Sequence, residues 1–255
     1  MKVKYSEIKN VYGIKIKTFE PEDKITSYIL ALHGFCGDME SSVIKQLAKR
    51  MTPHGFAVVA FNFPGHGTSE ADEYFSLYNC RKDMFEVINY VYKEYGFEYP
   101  TAIFATSFGG YVTLLNHDEL PANIAYVLRA PAVNMKDSFE KFTDDMDAFK
   151  KKGWQEMGFD RKLKVSYHFY EELINNDIRD DADLDLQGET LVIHGDKDDI
   201  VLPFDMQWFY WNHPLMKLEV IEGADHRFKG NDYLKQILDL SEKHIFHVWE
   251  VNTRE

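Results

Sequence analysis

The segment Ala105-Thr106-Ser107-Phe108-Gly109-Gly110 follows a short apolar run, Thr101–Phe104, and precedes a stretch with helical character. This order predicts a strand that turns sharply into a helix, with Ser107 at the apex. Such a turn strains the backbone of the serine and requires small neighbours, and Ala105 meets that need where glycine is usual. The turn would expose the hydroxyl and aim backbone N–H groups at the same place. The alternative is that Ser107 only caps the helix.

Short apolar runs alternate with helix-like stretches along most of the chain. Their near-continuous apolarity predicts strands that are buried on both faces, as in a parallel sheet covered by helices. The predicted strands are Tyr28–Leu32, Ala57–Phe61, Ala102–Ala105, Ile124–Leu128, Thr190–Ile193 and Leu218–Ile221. The predicted helices are Ser41–Met51, Cys80–Tyr95, Gly110–Asp118, Phe204–Trp211 and Leu234–Phe246. With a hairpin over Val3–Lys17, we expect an α/β fold whose mostly parallel, twisted sheet is flanked by helices.

The alternation of strands and helices is interrupted between Pro131 and Gly188, where no strand is predicted. Asp137–Lys152 and Lys162–Asn175 are predicted to be helical, with large apolar side chains every three or four residues in the first of them. We therefore expect a core made of residues 1–131 and 189–255, and a small helical cap made of residues 132–188. Such a cap would cover the carboxyl edge of the sheet, where open α/β sheets bind ligands. The alternative is that these are ordinary packing helices.

Composition narrows the class of protein further. The chain has 255 residues, 29 Lys and Arg against 42 Asp and Glu, and a formal net charge of −13. An acidic chain without a basic stripe disfavours nucleic acid and anionic membranes as partners. We expect neither a signal peptide nor a membrane span. Cys36 and Cys80 are the only cysteines, which is typical of a cytoplasmic protein. The oligomeric state is left open.

A serine nucleophile needs a base and an acid that orients the base. His226 lies in a polar loop after the last predicted strand, so we expect it at the carboxyl edge beside Ser107; the alternative is a solvated loop histidine. The loop after the preceding strand offers three candidate carboxylates: Asp196, Asp198 and Asp199. Serine, aspartate and histidine then follow one another in the order expected for a triad on such a sheet.

Two glycine-containing segments follow earlier predicted strands. In His33-Gly34-Phe35-Cys36-Gly37 the N–H of Phe35 is a candidate oxyanion donor, together with that of Phe108 after the serine. We expect His33 to be buried and to fasten this loop. In Pro64-Gly65-His66-Gly67-Thr68-Ser69 the glycines permit tight turns, and His66 is expected to be structural. Cys36 is disfavoured as a nucleophile, since the serine turn already holds that place.

Together these motifs resemble the α/β-hydrolase superfamily from about Tyr28 to the carboxyl end. The resemblance rests on five segments: His33-Gly34, Gly65-His66-Gly67-x-Ser69, the serine turn, His194-Gly195-Asp196-x-Asp198 and Gly223-x-x-His226. Within the superfamily the chain is similar to small bacterial esterases with a short helical cap, including cinnamoyl/feruloyl esterases and monoacylglycerol-lipase-like proteins. The resemblance implies that Ser107 is the nucleophile, Asp198 the acid and His226 the base. It also implies that Phe35 and Phe108 supply the oxyanion N–H groups.

The expected function is that of a serine hydrolase that cleaves a small-molecule carboxylic ester through an acyl-enzyme. This chemistry needs no metal or organic cofactor. An amidase, an aminopeptidase or a thioesterase would use the same three residues, and a ligand-binding protein that has lost catalysis is a further alternative. The chain departs from its relatives at Ala105, at Thr106, where relatives often carry histidine, and at Leu202, an extra residue after the acidic loop.

Overall fold

A mostly parallel sheet forms the centre of the protein. The computed structural model describes residues 1–67, 71–121, 123–158, 162–181, 184, 189–230 and 232–253. The strands in these ranges are β1 (Lys2–Ile8), β2 (Ile14–Glu20), β3 (Ser27–Leu32), β4 (Phe56–Phe61), β5 (Ala102–Thr106), β6 (Ala125–Arg129), β7 (Trp154–Met157), β8 (Leu163–Ser166), β9 (Glu189–Gly195) and β10 (Lys217–Ile221). Among the described residues the main sheet has eight strands, in the order β1-β2-β4-β3-β5-β6-β9-β10.

The direction of the strands follows the predicted pattern. β1 and β2 form an antiparallel hairpin, and β2 pairs antiparallel with β4. The remaining neighbours in the sheet are parallel. Asn10 shapes the hairpin turn, because its Oδ1 accepts hydrogen bonds from the N–H groups of Tyr12 and Gly13. The predicted fold class, with its parallel sheet and its hairpin at the start, is therefore confirmed.

Helices cover both faces of the sheet. They are α1 (Ser42–Met51), α2 (Leu77–Tyr95), α3 (Phe108–Leu114), α4 (Met135–Lys141), α5 (Met146–Lys152), α6 (Tyr167–Asn175), α7 (Pro203–Asn212) and α8 (Tyr233–Thr253). The apolar sides of α1 and α8 pack on one face, in the same core cluster as Phe104 of β5 and Val127 of β6. The apolar sides of α2, α3, α6 and α7 pack on the other face, with Ile103 and Leu128. Successive strand residues thus alternate between two cores.

The stretch from Pro131 to Gly188 differs from the sequence prediction in two ways. The prediction of helix for Lys162–Asn175 is wrong over Leu163–Ser166, which pairs antiparallel with β7 as a second, two-stranded sheet. Leu163 and Val165 are buried while Lys164 between them is exposed, which is the alternation of a strand. Asp137–Lys152 is two helices rather than one, because the Oδ1 of Asp145 accepts a hydrogen bond from Ala148 N and so begins α5.

The other predicted elements are found within a few residues of their predicted bounds, except that α8 continues beyond Phe246 to Thr253. Ser69 of the resemblance motif lies outside the described residues, as do 182, 183 and 185–188 at the end of the predicted cap. In the described part of the chain, none of the helices combines the length and the hydrophobicity that a membrane span requires. Neither cysteine forms a disulfide, and Cys80 is buried while Cys36 is half-buried.

Candidate active site

Ser107 sits at the turn from β5 into α3, at the carboxyl edge of the sheet. Its backbone has a φ of 49° and a ψ of −113°, a strained conformation for a residue with a side chain. Hydrogen bonds hold the turn from both sides: Ser107 N donates to Arg129 O at 2.9 Å, and Ser107 O accepts from Ala132 N at 3.1 Å. The Ser107 side chain makes no cap hydrogen bond with α3. The alternative of a purely helix-capping serine is therefore wrong.

Small residues around the turn let three segments approach closely. A Cβ atom added to Gly34 would lie 3.2 Å from the Cβ of Ser107. At Gly109 it would lie 2.7 Å from the carbonyl oxygen of His33, and at Gly110 it would lie 2.8 Å from the Cβ of Pro131. Since real Cβ contacts do not come below about 3 Å, glycine is required at the last two positions if α3 is to start here.

His226 connects the serine to a buried carboxylate. Its Nε2 lies 3.0 Å from the Oγ of Ser107, and its Nδ1 lies 2.8 Å from the Oδ2 of Asp198. His226 comes from the loop after β10, and Asp198 from the loop after β9. The structure therefore brings Ser107, His226 and Asp198 together in one chain of hydrogen bonds.

The other two aspartates of that loop have different surroundings. Asp196 accepts a hydrogen bond from Gly223 N at 2.6 Å through its Oδ1, which ties the loop after β9 to the loop that carries His226. Asp199 is exposed. Asp198 alone among the three is buried, with 3% of its surface exposed.

Asp198 is buried but fully supplied with hydrogen bonds. Its Oδ1 accepts from Ile200 N at 2.9 Å and from Val201 N at 2.8 Å, while its Oδ2 faces His226. Burial raises the pKa of Asp198, but the hydrogen bond with His226, the nearby imidazoles and the backbone donors outweigh burial and hold that pKa below its usual value. The carboxylate is therefore ionised at neutral pH, and it favours the tautomer in which Nδ1 of His226 carries the proton. Nε2 is then free to accept the proton of the serine.

His33 fastens the loop after β3, as the sequence predicts. It is 2% exposed, its Nε2 accepts from Phe63 N at 3.2 Å, and its Nδ1 donates to Gly34 O at 2.8 Å. His66 is fully buried and bonds the carbonyl of Pro64 through Nδ1 at 2.9 Å. Phe35 follows Gly34 in the fastened loop, and its ring packs 5.9 Å from that of Phe108, the first residue of α3. N–H groups in the first turn of a helix lack acceptors within the helix.

A cavity of about 830 Å³ lies over Ser107 and His226. Six residues of the predicted cap form part of its wall: Met135, Phe139, Phe142, Asp144, Glu156 and Met157. Beside the cavity, the ring of Phe169 from α6 packs 4.5 Å from that of Phe75 and 6.1 Å from that of Phe108. We call Phe35, Phe75, Phe108 and Phe169 the aromatic cluster. It joins the predicted cap to the serine turn.

Arg129, the last residue of β6, is not among the site residues that the sequence predicts. It lines the cavity with Ser107 and His226, yet only 8% of it is exposed. Its Nη2 donates to the carbonyl of Arg227 at 2.8 Å, and its guanidinium carbon lies 4.6 Å from the ring centre of Phe228. Burial lowers the pKa of Arg129 to about 10. In the sequence, Arg129 directly follows an apolar run that ends at the carboxyl edge of the sheet, and this position is the signal that could have identified it as a site residue.

Comparisons with known proteins agree with this fold. Residues 23–181 match the family described as serine aminopeptidase, S33, a family of hydrolases. No curated protein matches the chain. The structure is similar to a protein of Agrobacterium vitis S4, with a TM-score of 0.80 and 16% identity over 96% of this chain and 100% of the other.

Two further solved structures share the fold. Est1E from Butyrivibrio proteoclasticus, solved with ferulic acid bound, has a TM-score of 0.75 and 18% identity over 94% of this chain and 99% of its own. Alpha/beta hydrolase domain-containing protein 10 from mouse has a TM-score of 0.72 and 16% identity over 96% of this chain and 99% of its own. At such identities the likeness concerns the fold alone.

Proposed function

The chain belongs to the serine aminopeptidase S33 family of hydrolases, and on that premise we propose that it cleaves carboxylic esters with Ser107 as the nucleophile. His226 is the proposed base and Asp198 the acid that orients it. The observation that carries the proposal is the chain of hydrogen bonds from Ser107 through His226 to Asp198. A serine in a strained turn, a histidine in contact with it and an ionised carboxylate behind the histidine have the geometry of nucleophilic acyl transfer.

The proposed reaction has two halves. Nε2 of His226 takes the proton of Ser107 as Oγ attacks the ester carbonyl, and the N–H groups of Phe35 and Phe108 stabilise the negative oxygen. The histidine then gives its proton to the leaving alcohol, and an acyl-enzyme remains. In the second half, water loses a proton to His226 and attacks the acyl-enzyme, which releases the carboxylic acid and restores Ser107. Asp198 stabilises the imidazolium in both halves.

We also propose that residues 132–188 act as a cap that selects the substrate. Met135, Phe139, Phe142 and Met157 give the cavity an apolar wall on the cap side, which suits an acyl or aromatic group. Est1E, with the same fold, binds ferulic acid in its structure. This supports an ester of an aromatic or short acyl acid as substrate.

Aminopeptidase activity is the second candidate, and one observation favours it besides the family's description. Asp38, Asp144 and Glu156 line the cavity, and carboxylates are the groups that bind the free ammonium of a peptide. The same serine, histidine and aspartate would perform this reaction, so the substrate decides between the two activities.

The test is a substrate panel with a nucleophile variant. We expect wild type to hydrolyse p-nitrophenyl acetate, p-nitrophenyl butyrate and methyl ferulate faster than aminoacyl p-nitroanilides at equal concentration. Ser107→Ala should lower kcat/KM by roughly 10³-fold or more and abolish labelling by a fluorophosphonate probe. Ser76→Ala, which removes a cap of α2 outside the cavity, is the matched control. Full labelling of Ser107→Ala would exclude Ser107 as the nucleophile, and faster anilide cleavage would favour the aminopeptidase.

A further inference from the structure

Arg129 is a buried cation whose donors are mostly unused. A guanidinium has five N–H donors, and in the described part of the chain one acceptor, the carbonyl of Arg227, meets them. The Nε of Arg129 is buried with no hydrogen-bond partner among the described residues. Two carboxylates act on its charge, Asp198 and Asp225. Asp198 is engaged by His226, and Asp225 accepts from Lys229 N.

Leaving such a group without an anion is costly. Burying a charge without an ion pair carries a large desolvation penalty, and the contact with the face of Phe228 offsets only a small part of it. Although burial lowers the pKa of Arg129 to about 10, the guanidinium remains a cation at neutral pH. A persistent cost of this kind at a cavity wall points to a ligand that supplies the missing negative charge.

The position of Arg129 fits a substrate contact. Its backbone carbonyl accepts from Ser107 N, so the two residues are adjacent across the strand ends. In the parallel register Arg129 pairs with Thr106, whose Oγ1 is also buried with no partner in the described structure. Both residues line the cavity, so two unused polar groups lie side by side next to the serine.

This side of the cavity is separate from the cap. Ala125 and Val127 of β6 pack in the core beneath α1 and α8, and the alternation of the strand directs Arg129 to that same face. Val43 of α1 and Ile237 of α8 line the cavity and belong to the same core. The cavity therefore extends from the cap, across the strand ends, to a region that holds a guanidinium among apolar side chains.

We propose that Arg129 binds a carboxylate of the substrate, so that the protein prefers esters that carry a second, anionic group. This rests on the proposed ester hydrolysis. The substrate class is a monoester of a dicarboxylic acid, or an ester whose alcohol part bears a carboxylate. An arginine pairs with a carboxylate through two parallel N–H···O bonds, and the Nη hydrogens that the Arg227 carbonyl does not accept are the donors available here. A protein with a net charge of −13 repels anions at long range, and a local cation overcomes that repulsion.

The first experiment measures binding without turnover. Calorimetry with Ser107→Ala compares adipate with hexanoate, which has the same length and one carboxylate fewer. We expect adipate to bind at least tenfold more tightly, a difference of about 1.4 kcal/mol. Adding Arg129→Met should remove this preference, and adding Arg129→Lys should keep part of it. Arg50→Met, which removes an arginine paired with Asp239 and Glu242 on the surface, should keep all of it. Equal binding of the two acids, no binding at millimolar adipate, or unchanged preference in Arg129→Met would overturn the proposal.

The second experiment locates the carboxylate. Mono-p-nitrophenyl adipate is compared with p-nitrophenyl hexanoate for the acyl side, and 4-carboxyphenyl butyrate with 4-carbamoylphenyl butyrate for the alcohol side. We expect one pair to show at least tenfold higher kcat/KM for the anionic ester, and Arg129→Met to reduce that ratio to near one. A purely structural role would lower both members of each pair equally and would contradict the proposal.

The two proposals fail in different ways. If wild type hydrolyses none of the esters but Arg129 still governs adipate binding, the proposed ester hydrolysis is wrong and the carboxylate site stands. If esters are hydrolysed without preference for the anionic member, the carboxylate site is wrong. Thermal unfolding of each variant shows whether it folds, and Arg129→Gln replaces Arg129→Met if the latter does not.

Discussion

Asp198 and Arg129 are two buried charges at the same strand ends with opposite surroundings. The Asp198 carboxylate accepts from two backbone N–H groups and from His226. Its charge is therefore satisfied within the protein, which agrees with the proposed role of orienting the imidazole. Arg129 has one acceptor among the described residues. This difference in partners supports the proposal that Asp198 positions His226 while Arg129 binds a ligand.

Replacing Asp198 by asparagine tests the positioning role. The amide of Asp198→Asn still accepts from Ile200 N and Val201 N, but it donates toward Nδ1 of His226. The proton then moves to Nε2, which can no longer accept from Ser107. We expect kcat for a p-nitrophenyl ester to fall by about 10⁴-fold with the fold intact. Asp199→Asn, in the exposed neighbour, should retain activity, and a loss of less than tenfold in Asp198→Asn would contradict the assignment.

The sequence predicts some residues of this site and leaves others open for physical reasons. Ser107 can be predicted because a strained turn requires small residues on either side of the serine, and those residues are its neighbours in the sequence. Asp196, Asp198 and Asp199 share one loop and one local signal, so the loop by itself leaves the acid open, and the choice of Asp198 before the structure rests on the family resemblance. The sequence does not predict that Arg129 belongs to the site, because an arginine at the end of a strand is usually exposed to solvent. Its burial depends on α1, α8 and Phe228, which are distant in sequence.

At the scale of elements, the proposed cap is attached to the core by hydrogen bonds from three segments. Glu172 of α6 accepts from Leu77 N at 2.7 Å and from Tyr78 N at 3.0 Å, at the beginning of α2. Tyr111 of α3 donates to Asn176 O at 2.6 Å. Lys164 N of β8 donates to Asp72 at 3.0 Å. A negative side chain at a helix N-terminus satisfies otherwise unpaired N–H groups and complements the helix dipole.

Glu172→Gln tests this attachment. The variant keeps one acceptor oxygen but loses the charge and places an NH₂ group against a backbone N–H. We expect the free energy of unfolding to fall by about 1 kcal/mol, measured by urea denaturation. Glu171→Gln changes the exposed neighbour on the same helix and should have no measurable effect. Equal midpoints for the two variants would show that Glu172 does not hold the cap.

The elements that the sequence fails to predict are the short, nonlocal ones. The central strands β3, β4, β5 and β6 are recognisable because each is an apolar run that is buried on both faces. β7 and β8 have four residues each, and each is stabilised by pairing with the other rather than by its own composition. The helical prediction fails there because the period of an apolar pattern is ambiguous over so few residues.

At the scale of the whole molecule, one buried carboxylate links stability to pH. Tyr12, in the turn between β1 and β2, donates to Asp83 of α2 at 2.5 Å, and Asp83 is fully buried. Burial raises the pKa of Asp83 to about 7 from an ordinary value of 3.8. The folded state thus binds a proton that the unfolded state has released. This contribution to stability is complete below about pH 4 and is lost as the pH rises to about 7.

Asp83→Asn removes the titration and keeps an acceptor for Tyr12. We expect the variant to be more stable than wild type at pH 8, with a difference that shrinks steadily toward pH 4. Thermal unfolding across this range provides the measurement. Glu98→Gln, at an exposed carboxylate after α2, should parallel wild type at each pH. An advantage of Asp83→Asn that stays constant with pH would show that Asp83 does not titrate in this window.

The aromatic cluster has a consequence for anyone who wishes to redesign this protein. Phe35 lines the cavity and packs against Phe108 and Phe169, so a ring that borders the binding space also holds two parts of the chain together. Trimming this ring to admit a bulkier molecule removes packing against the core, at a cost smaller than the roughly 3–5 kcal/mol of a fully buried phenylalanine, because Phe35 is half-buried. Variants that accept bulkier substrates in this way will therefore be less stable to heat. A stabilising substitution such as Asp83→Asn should be introduced before directed evolution begins.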